Sequence, residues 1–212
     1  MEFISGDLDE YCVGHTSNEN KILSQLNRET YAKVLQPRML SGHFQGRFLS
    51  MISHMIRPKN ILEIGTFTGY SALCLAEGLQ ENGKLLTIDV NEELEDFVRN
   101  FISQSPLKDK IEFRIGNAAE IIPTLTQTFD LVFIDADKLN YDKYYDLVFD
   151  KVNQGGYIIS DNVLWSGKVV DPSKKDKDTV SIRAFNKKIY QDPRTENILL
   201  PIRDGLMVAR KR

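Results

Sequence analysis

Acidic residues follow two apolar runs of the sequence, at the points where each run ends. Asp135 comes directly after residues 129–134, and Asp161 and Asn162 come directly after residues 155–160. If the two runs form neighbouring strands of a parallel sheet, these three side chains converge at one edge. Two carboxylates and an amide oxygen suit Mg²⁺ or a similar divalent cation, which prefers oxygen ligands. The pattern predicts an ion site, with capping residues and solvated loop acids as the alternative.

Lys138 lies three residues beyond Asp135, close enough in sequence to act at the same site. A bound cation and a nearby ammonium group both favour loss of the proton from a substrate hydroxyl, which then becomes a nucleophile near neutral pH. Lys138 could also take that proton itself as a general base. The alternative role is a surface ion pair with Asp137 or Asp142. Zinc is not indicated, since no cysteine or histidine lies nearby in the sequence.

A glycine-containing loop follows an earlier apolar run, in the stretch "EIGTFTGYS" at residues 63–71. Gly65 and Gly69 permit a close turn and a close approach of the backbone to a ligand. Ser71 and the start of the following helix offer hydrogen-bond donors. The spacing is G-x-x-x-G rather than the G-x-G-x-x-G of dinucleotide-binding loops, which makes NAD a poorer candidate.

Two acids accompany this loop and favour a different ligand. Glu63 precedes the turn, and Asp89 ends the next apolar run, where it is placed to accept both hydroxyls of a ribose. An adenosine compound that carries a cation rather than a pyrophosphate suits an acidic Glu63. These features predict S-adenosylmethionine as the cofactor, with a tight turn that binds no ligand as the alternative.

The elements that must position these residues alternate between strands and helices. Strands separated by helical spacing predict an α/β fold with a mostly parallel sheet, to which a C-terminal hairpin with a tight turn at Asp204-Gly205 adds antiparallel strands. Residues 1–58 predict a helical N-terminal extension, and residues 59–212 predict the main domain. In such sheets ligands bind at the carboxyl ends of the strands. Chemistry is therefore expected directly after Gly65, Asp89, Gly116, Asp135 and Asp161.

Overall composition agrees with a globular protein and excludes few functions. The chain has 212 residues, a net charge of −3 and two cysteines, which we expect to be reduced thiols. A basic excess typical of nucleic-acid binding is absent from the totals. The sequence predicts neither a signal peptide nor a membrane span, and we expect a cytoplasmic protein.

Four motifs together resemble the cation-dependent O-methyltransferases of the caffeoyl-CoA and catechol type. They are "EIGTFTGYS", "IDV", "FIDADKLNY" and "SDNVLWSGKV", and the similarity extends from about Pro37 to the end. The resemblance implies a Rossmann-like class I methyltransferase fold with a seven-stranded sheet, and usually a homodimer. It implies that the N-terminal extension covers the cofactor, shapes the substrate pocket and makes dimer contacts.

The resemblance also implies individual roles for matching residues. Asp135, Asp161 and Asn162 would bind the ion, and Lys138 with Asp135 would carry out catalysis. Tyr141 and Trp165 would flank an aromatic acceptor. The implied cofactor-binding residues are Met39, Ser41, Gly42, Glu63, Gly65, Ser71, Asp89, Ala118 and Asp135.

Our main functional hypothesis is divalent-cation-dependent transfer of a methyl group from S-adenosylmethionine to a hydroxyl of a catechol-like small molecule. The segment before Pro37 does not match the plant enzymes that take CoA esters, so the acceptor stays open. An alternative is methylation of a hydroxylated uridine in tRNA. A non-catalytic adenosine-binding module and an NAD-dependent dehydrogenase are less favoured. The basic residues that could meet tRNA phosphates are Lys168, Lys174, Lys175 and Arg183.

Overall fold

A single mixed β-sheet forms the centre of the protein, in a computed structural model that describes residues 5–212. Its strand order is β3-β2-β1-β4-β5-β7-β6. The first five strands are parallel, and β7 runs antiparallel to both β5 and β6. This confirms the predicted Rossmann-like class I fold with its C-terminal hairpin. The strands are β1 (Asn60–Ile64), β2 (Lys84–Asp89), β3 (Ile111–Ile115), β4 (Phe129–Ile134), β5 (Val152–Ser160), β6 (Thr195–Leu200) and β7 (Leu206–Lys211).

Helices cover both faces of this sheet. Along β4, Val132 and Ile134 pack into one apolar cluster, whereas Leu131 and Phe133 pack into the other. Since successive side chains of a strand point to opposite faces, an unbroken apolar run marks a strand buried on both sides. The helices are α1 (Gly6–Gly14), α2 (Lys21–Lys33), α3 (Gly42–Ile56), α4 (Tyr70–Ala76), α5 (Glu95–Gln104), α6 (Ala118–Thr124), α7 (Tyr141–Phe149) and α8 (Lys177–Gln191).

The N-terminal extension consists of α1, α2 and α3, and part of it packs into the main core. Leu23, Leu26 and Leu49 are fully buried in the same cluster as Leu131 of the central strand. The extension and the main domain therefore share one hydrophobic core. The domain boundary between residues 58 and 59 stays a prediction. Among the described residues, no helix combines the length and apolar character needed to cross a membrane.

Helix α3 buries a different face from the one its apolar residues indicate. Met51 and Met55 are 61% and 73% exposed, whereas Gln45, Leu49 and Ser53 face inward. The inner face is formed by small and polar residues because α3 lies very close to α4. In the sequence, five apolar residues recur at helical spacing, which predicts the helix but not its orientation: Phe44, Phe48, Met51, Ile52 and Met55.

The C-terminal hairpin turn is longer than expected. Its connection spans residues 201–205, with Arg203 and Gly205 in the left-handed region at φ 48° and 90°. A β-carbon at Gly205 would lie 2.4 Å from Leu164 Cγ, so the turn packs tightly on the loop after β5. The turn is longer because it both reverses the chain and provides a contact surface for the loop after β5.

Candidate active site

A cavity of about 1280 Å³ opens at the carboxyl ends of the strands. It is lined by all five positions where the strand pattern predicted chemistry. The site residues on its wall include Gly65, Asp89, Ala118, Asp135, Lys138, Asp161, Asn162, Trp165 and Met39. The agreement follows from the topology, since neighbouring parallel strands end at the same edge of the sheet.

The predicted ion ligands come together because β4 and β5 are neighbours in register. Ile134 pairs with Ser160, and the next backbone amide, that of Asp161, donates to Ile134 O at 2.9 Å. Asp135, Asp161 and Asn162 thus follow two adjacent strand ends and line the same cavity. Asn162 adopts a left-handed conformation with φ 56°, which asparagine tolerates better than most residues.

Electrostatics at Asp161 favour a cation. Its side chain is 3% exposed. Burial, and then the negative charge of Asp135, raise the pKa of Asp161 to about 7. A cation between the carboxylates would offset that repulsion. The described residues contain no group of three or more His, Cys, Asp or Glu side chains arranged for a metal, but the third donor expected here is an amide. Two carboxylates and an amide oxygen fit a hard divalent cation.

Lys138 is directed at this acidic pair and not at the surface. It is 9% exposed, and its Nζ lies 3.0 Å from Asp135 Oδ1 and 2.6 Å from Tyr141 Oη. The alternative surface pairs are not formed, since Asp142 pairs with Lys188 instead. Lys138 therefore presents its amine to the cavity beside the predicted ion ligands.

Tyr141 does not lie where an acceptor-flanking residue was expected. It is fully buried, and its hydroxyl donates to Asp161 O at 3.0 Å while accepting from Lys138. Burial raises the pKa of Tyr141 well above its ordinary value, so the phenol stays protonated. The structure places it beneath the cavity, as a support for Lys138 and for the end of β5.

The glycine loop approaches β4 more closely than any side chain would permit. Gly65 has φ 97°, and a β-carbon there would lie 1.8 Å from Asp135 O. Asp89 fixes the same loop, because its Oδ2 accepts from the backbone amides of Thr66 at 2.9 Å and Phe67 at 2.7 Å. Its Oδ1 accepts from the backbone amide of Asn91 at 2.9 Å, so of about four acceptor positions on the carboxylate one is left for a ribose hydroxyl.

Glu63 and Ser71 lie below this loop, outside the cavity wall. Glu63 is fully buried, and its Oε2 accepts from Thr87 Oγ1 at 2.5 Å. Its Oε1 has no hydrogen-bond partner of good geometry among the described residues. Burial raises the pKa of Glu63 to about 8, although the hydroxyls of Ser71 and Thr87 oppose the shift. An unpartnered carboxylate oxygen here suits a cationic ligand group that reaches below the loop.

The segment before α3 contributes to the cavity through Met39, whereas Ser41 and Gly42 lie outside its wall. Ser41 is buried, and its carbonyl accepts from the Arg203 guanidinium. The same guanidinium also donates to Leu40 O at 2.9 Å. The segment is therefore held against the site by the hairpin turn.

The loop after β5 carries Trp165 and is also held by the hairpin turn. Trp165 and Ser166 have φ 49° and 52°, a strained conformation that clusters at functional sites. Asp204 stabilises it, since its Oδ1 accepts from Ser166 N at 2.5 Å. Trp165 lines the cavity, and its buried Nε1 has no hydrogen-bond acceptor among the described residues. Its role as an acceptor contact stays a prediction.

Comparison with known proteins agrees with this geometry. The sequence model of the O-methyltransferase family matches residues 13–212. The chain belongs to this family, and it is an O-methyltransferase. It is 37% identical over 196 residues to a caffeoyl-CoA O-methyltransferase of Nicotiana tabacum, covering 87% of this chain and 82% of the relative. A caffeoyl-CoA O-methyltransferase of Arabidopsis thaliana is 37% identical, with coverage of 98% and 85%.

Solved structures of O-methyltransferases superpose closely on the chain. The O-methyltransferase of Bacillus cereus, solved in complex with S-adenosylhomocysteine (SAH), is 30% identical with a TM-score of 0.90 and covers 97% of each chain. An O-methyltransferase of Streptomyces achromogenes involved in tomaymycin synthesis, solved with S-adenosylmethionine, is 27% identical with a TM-score of 0.87 and coverage of 97% and 96%.

Several residues of this O-methyltransferase site had no signal in the sequence. Gln45 reaches Asp161 from α3, and Arg203 and Asp204 hold the two loops described above. Gly6 and Asp9 bring α1 to the mouth of the cavity. The sequence assigned none of them a role at the site, although Asp204 belongs to the predicted turn, and each depends on how distant segments dock. A buried polar residue on a helix is recognised only once the buried face is known.

Proposed function

We propose that this protein is a divalent-cation-dependent enzyme that moves a methyl group from S-adenosylmethionine to a hydroxyl of a catechol-like small molecule. One observation carries the proposal. A single cavity joins the loop at Gly65 and Asp89 to the oxygen-rich end of β4 and β5, and Lys138 also lines it. A cofactor loop and an ion site thus share one reaction chamber.

The cofactor side of the chamber fits a ribose and a cationic sulfonium compound. Asp89 offers carboxylate oxygens at the end of β2, and Ala118 leaves space for a flat base at the start of α6. Met39 covers this side, with Ser41 and Gly42 behind it. Glu63 and Ser71 would receive the amino-acid end of the cofactor, and Gly65 permits its close approach.

The ion side would be held by Asp135, Asp161 and Asn162, with Mg²⁺ as the ion best matched to these hard oxygen donors. A bound divalent cation would supply positive charge that lowers the pKa of an acceptor hydroxyl. Lys138 contributes a second positive charge or receives the proton, because Asp135 and Tyr141 fix its amine at the cavity wall.

Methyl transfer then needs alignment more than covalent chemistry by the protein. The acceptor oxygen would form a bond to the methyl carbon as the carbon–sulfur bond breaks, and SAH leaves. In well-oriented reactions, holding both reactants in line lowers the activation barrier by about 7–11 kcal/mol. Trp165 would form one wall for an aromatic acceptor.

A small phenol suits the charges better than tRNA does. Arg183 is one of the basic residues that could meet phosphates, but its guanidinium donates to the backbone carbonyls of Val169 and Lys174, each at 2.8 Å. Of the basic residues considered, the lysines stay available to contact the phosphate backbone of tRNA: Lys168, Lys174 and Lys175. With a net charge of −3, electrostatic support for nucleic-acid binding is weak.

We also propose that the enzyme forms a homodimer through its N-terminal extension. Large apolar side chains stay exposed there, including Tyr31 at 62% and Met55 at 73%. Burying such a surface against a second copy is favourable. Sedimentation equilibrium tests this assembly, and a monomer at micromolar concentration would contradict it.

The experiment that tests the reaction measures SAH formation with caffeic acid, catechol and caffeoyl-CoA, with Mg²⁺ and with EDTA. Turnover that requires the metal is expected. Asp161→Ala should abolish turnover while SAH still binds, whereas Asp142→Ala removes an exposed acid and should leave turnover intact. Full turnover in EDTA would refute the role of the cation. Turnover with tRNA, but with none of the three phenols, would favour the alternative acceptor.

A further inference from the structure

A buried glutamine reaches the predicted ion site from the N-terminal extension. Gln45 in α3 is 1% exposed, and its Nε2 donates to Asp161 Oδ2 at 2.6 Å across 116 positions of sequence. We propose that Gln45 is a positioning residue of the ion site, which orients the carboxylate of Asp161 for a divalent cation. The inference rests on the cation dependence proposed above and assigns part of the ion site to the extension.

Each of the two carboxylate oxygens of Asp161 accepts a hydrogen bond from a different partner. Oδ1 accepts from the backbone amide of Asn162 at 2.6 Å, and Oδ2 accepts from Gln45. Each oxygen has two acceptor positions, so each keeps one for an ion. Hydrogen bonds to the outer side of a metal-binding carboxylate fix its rotation, and losing such a partner typically weakens metal binding 10- to 100-fold.

The amide of Gln45 has little freedom to move, because α3 is fixed against α4. A β-carbon on the next residue, Gly46, would lie 2.5 Å from Tyr70 Cε1 and 2.9 Å from Cys74 Sγ. The helices therefore approach as closely as a glycine allows, and α3 cannot slide or rotate freely. Helix α4 directly follows the glycine loop at Gly65, so the same helix pair supports both that loop and Asp161.

Gln45 connects the segment that covers the cavity, which contains Met39, to the predicted ion site. Met39 lines the cavity six positions before Gln45, and α3 begins between them at Gly42. A displacement of α3 would alter the cover and the orientation of Asp161 together. The N-terminal extension thereby acts as a structural part of the ion site as well as a lid for the cofactor.

Direct measurement of Mn²⁺ binding tests this role without relying on turnover. Free Mn²⁺ is followed by electron paramagnetic resonance as wild type, Gln45→Leu or Gln25→Leu is added. Gln25 is a matched control, since its Nε2 also donates to a carboxylate, Glu29 Oε1 at 2.8 Å, but on an exposed surface. We expect Gln45→Leu to raise the Kd for Mn²⁺ about 10-fold or more, and Gln25→Leu to leave it unchanged.

A second readout separates positioning from general stability. The Mn²⁺ concentration for half-maximal activity should rise in Gln45→Leu while KM for S-adenosylmethionine stays at the wild-type value. Thermal melts establish that each variant is folded, and Gln45→Met takes the same measurement if the leucine variant does not fold. An unchanged Kd for Mn²⁺ in a folded Gln45 variant would overturn the role of Gln45 but not the ion site. Failure of the wild type to bind Mn²⁺ would overturn the ion site itself.

Discussion

Removing one oxygen atom from Tyr141 should disturb the catalytic lysine without emptying the site. The Tyr141 hydroxyl accepts from Lys138 Nζ at 2.6 Å and donates to Asp161 O at 3.0 Å, in a fully buried position. Phenylalanine keeps the ring and deletes both hydrogen bonds. The change therefore isolates the contribution of the hydroxyl.

The size of the effect follows from those contacts. A buried hydrogen bond to a charged group contributes about 1.5–3 kcal/mol, and a neutral one about 1 kcal/mol. Lys138 keeps its pairing with Asp135, so we expect Tyr141→Phe to lower the free energy of unfolding by about 2–3 kcal/mol. For a domain of this size, that corresponds to a fall in Tm of roughly 4–12 °C.

The functional effect should exceed what lost stability explains. Lys138 would lose one of the two contacts that hold its amine, and a misplacement of about 1 Å can reduce a rate by about 100-fold. We expect kcat to fall about 10- to 100-fold at 25 °C, where the variant is still folded, with KM for S-adenosylmethionine unchanged. Steady-state SAH formation under saturating metal measures both constants.

Tyr145 provides a control within the same helix. Its ring is also buried in α7, but its hydroxyl donates to Asp192 Oδ2 at 3.0 Å, away from the cavity. Because its partner is a carboxylate, Tyr145→Phe should lower stability by about 1.5–3 kcal/mol and leave kcat unchanged. Wild-type kcat in Tyr141→Phe, or equal loss of kcat in both variants, would refute this reasoning.

Three further perturbations test the cofactor side. Gly65→Ala should weaken SAH binding about tenfold or more in calorimetry, since the new methyl overlaps Asp135 O and φ 97° is strained for alanine; unchanged affinity would contradict the close approach. Arg203→Ala should raise KM for S-adenosylmethionine roughly 5- to 30-fold by releasing the Ser41 carbonyl, with Arg203→Lys as the milder comparison. Because the pKa of Glu63 is raised from 4.5 to about 8, its stabilising effect is complete below about pH 4.5 and is lost as the pH rises through 8; urea unfolding should show a smaller decline in Glu63→Gln than in wild type, because in the variant Asp161, whose pKa is also raised, keeps its own contribution.

The sheet edge could be predicted from sequence because its geometry is general. Parallel strands bring their carboxyl ends to one edge, so acids that directly follow apolar runs must converge. Asp135 and Asp161 needed only the correct strand order to meet. Gln45 could not be found in this way, because its partner lies 116 positions away and depends on how α3 docks. The spacing of apolar residues in α3 indicated the wrong buried face, because Gly46 rather than a large side chain makes the contact with α4.

Tyr141 shows how a residue within a matching motif can lie outside the cavity wall. The resemblance to the cation-dependent O-methyltransferases implies that Tyr141 flanks an aromatic acceptor. In the structure it is the first residue of α7, and side chains at a helix start lean back toward the preceding turn. That lean carries the phenol beneath Lys138 to the carbonyls at the ends of β4 and β5, Ile134 O and Asp161 O. At this place Tyr141 supports Lys138 from outside the cavity wall, which is why its hydroxyl should govern kcat and leave substrate affinity unaffected.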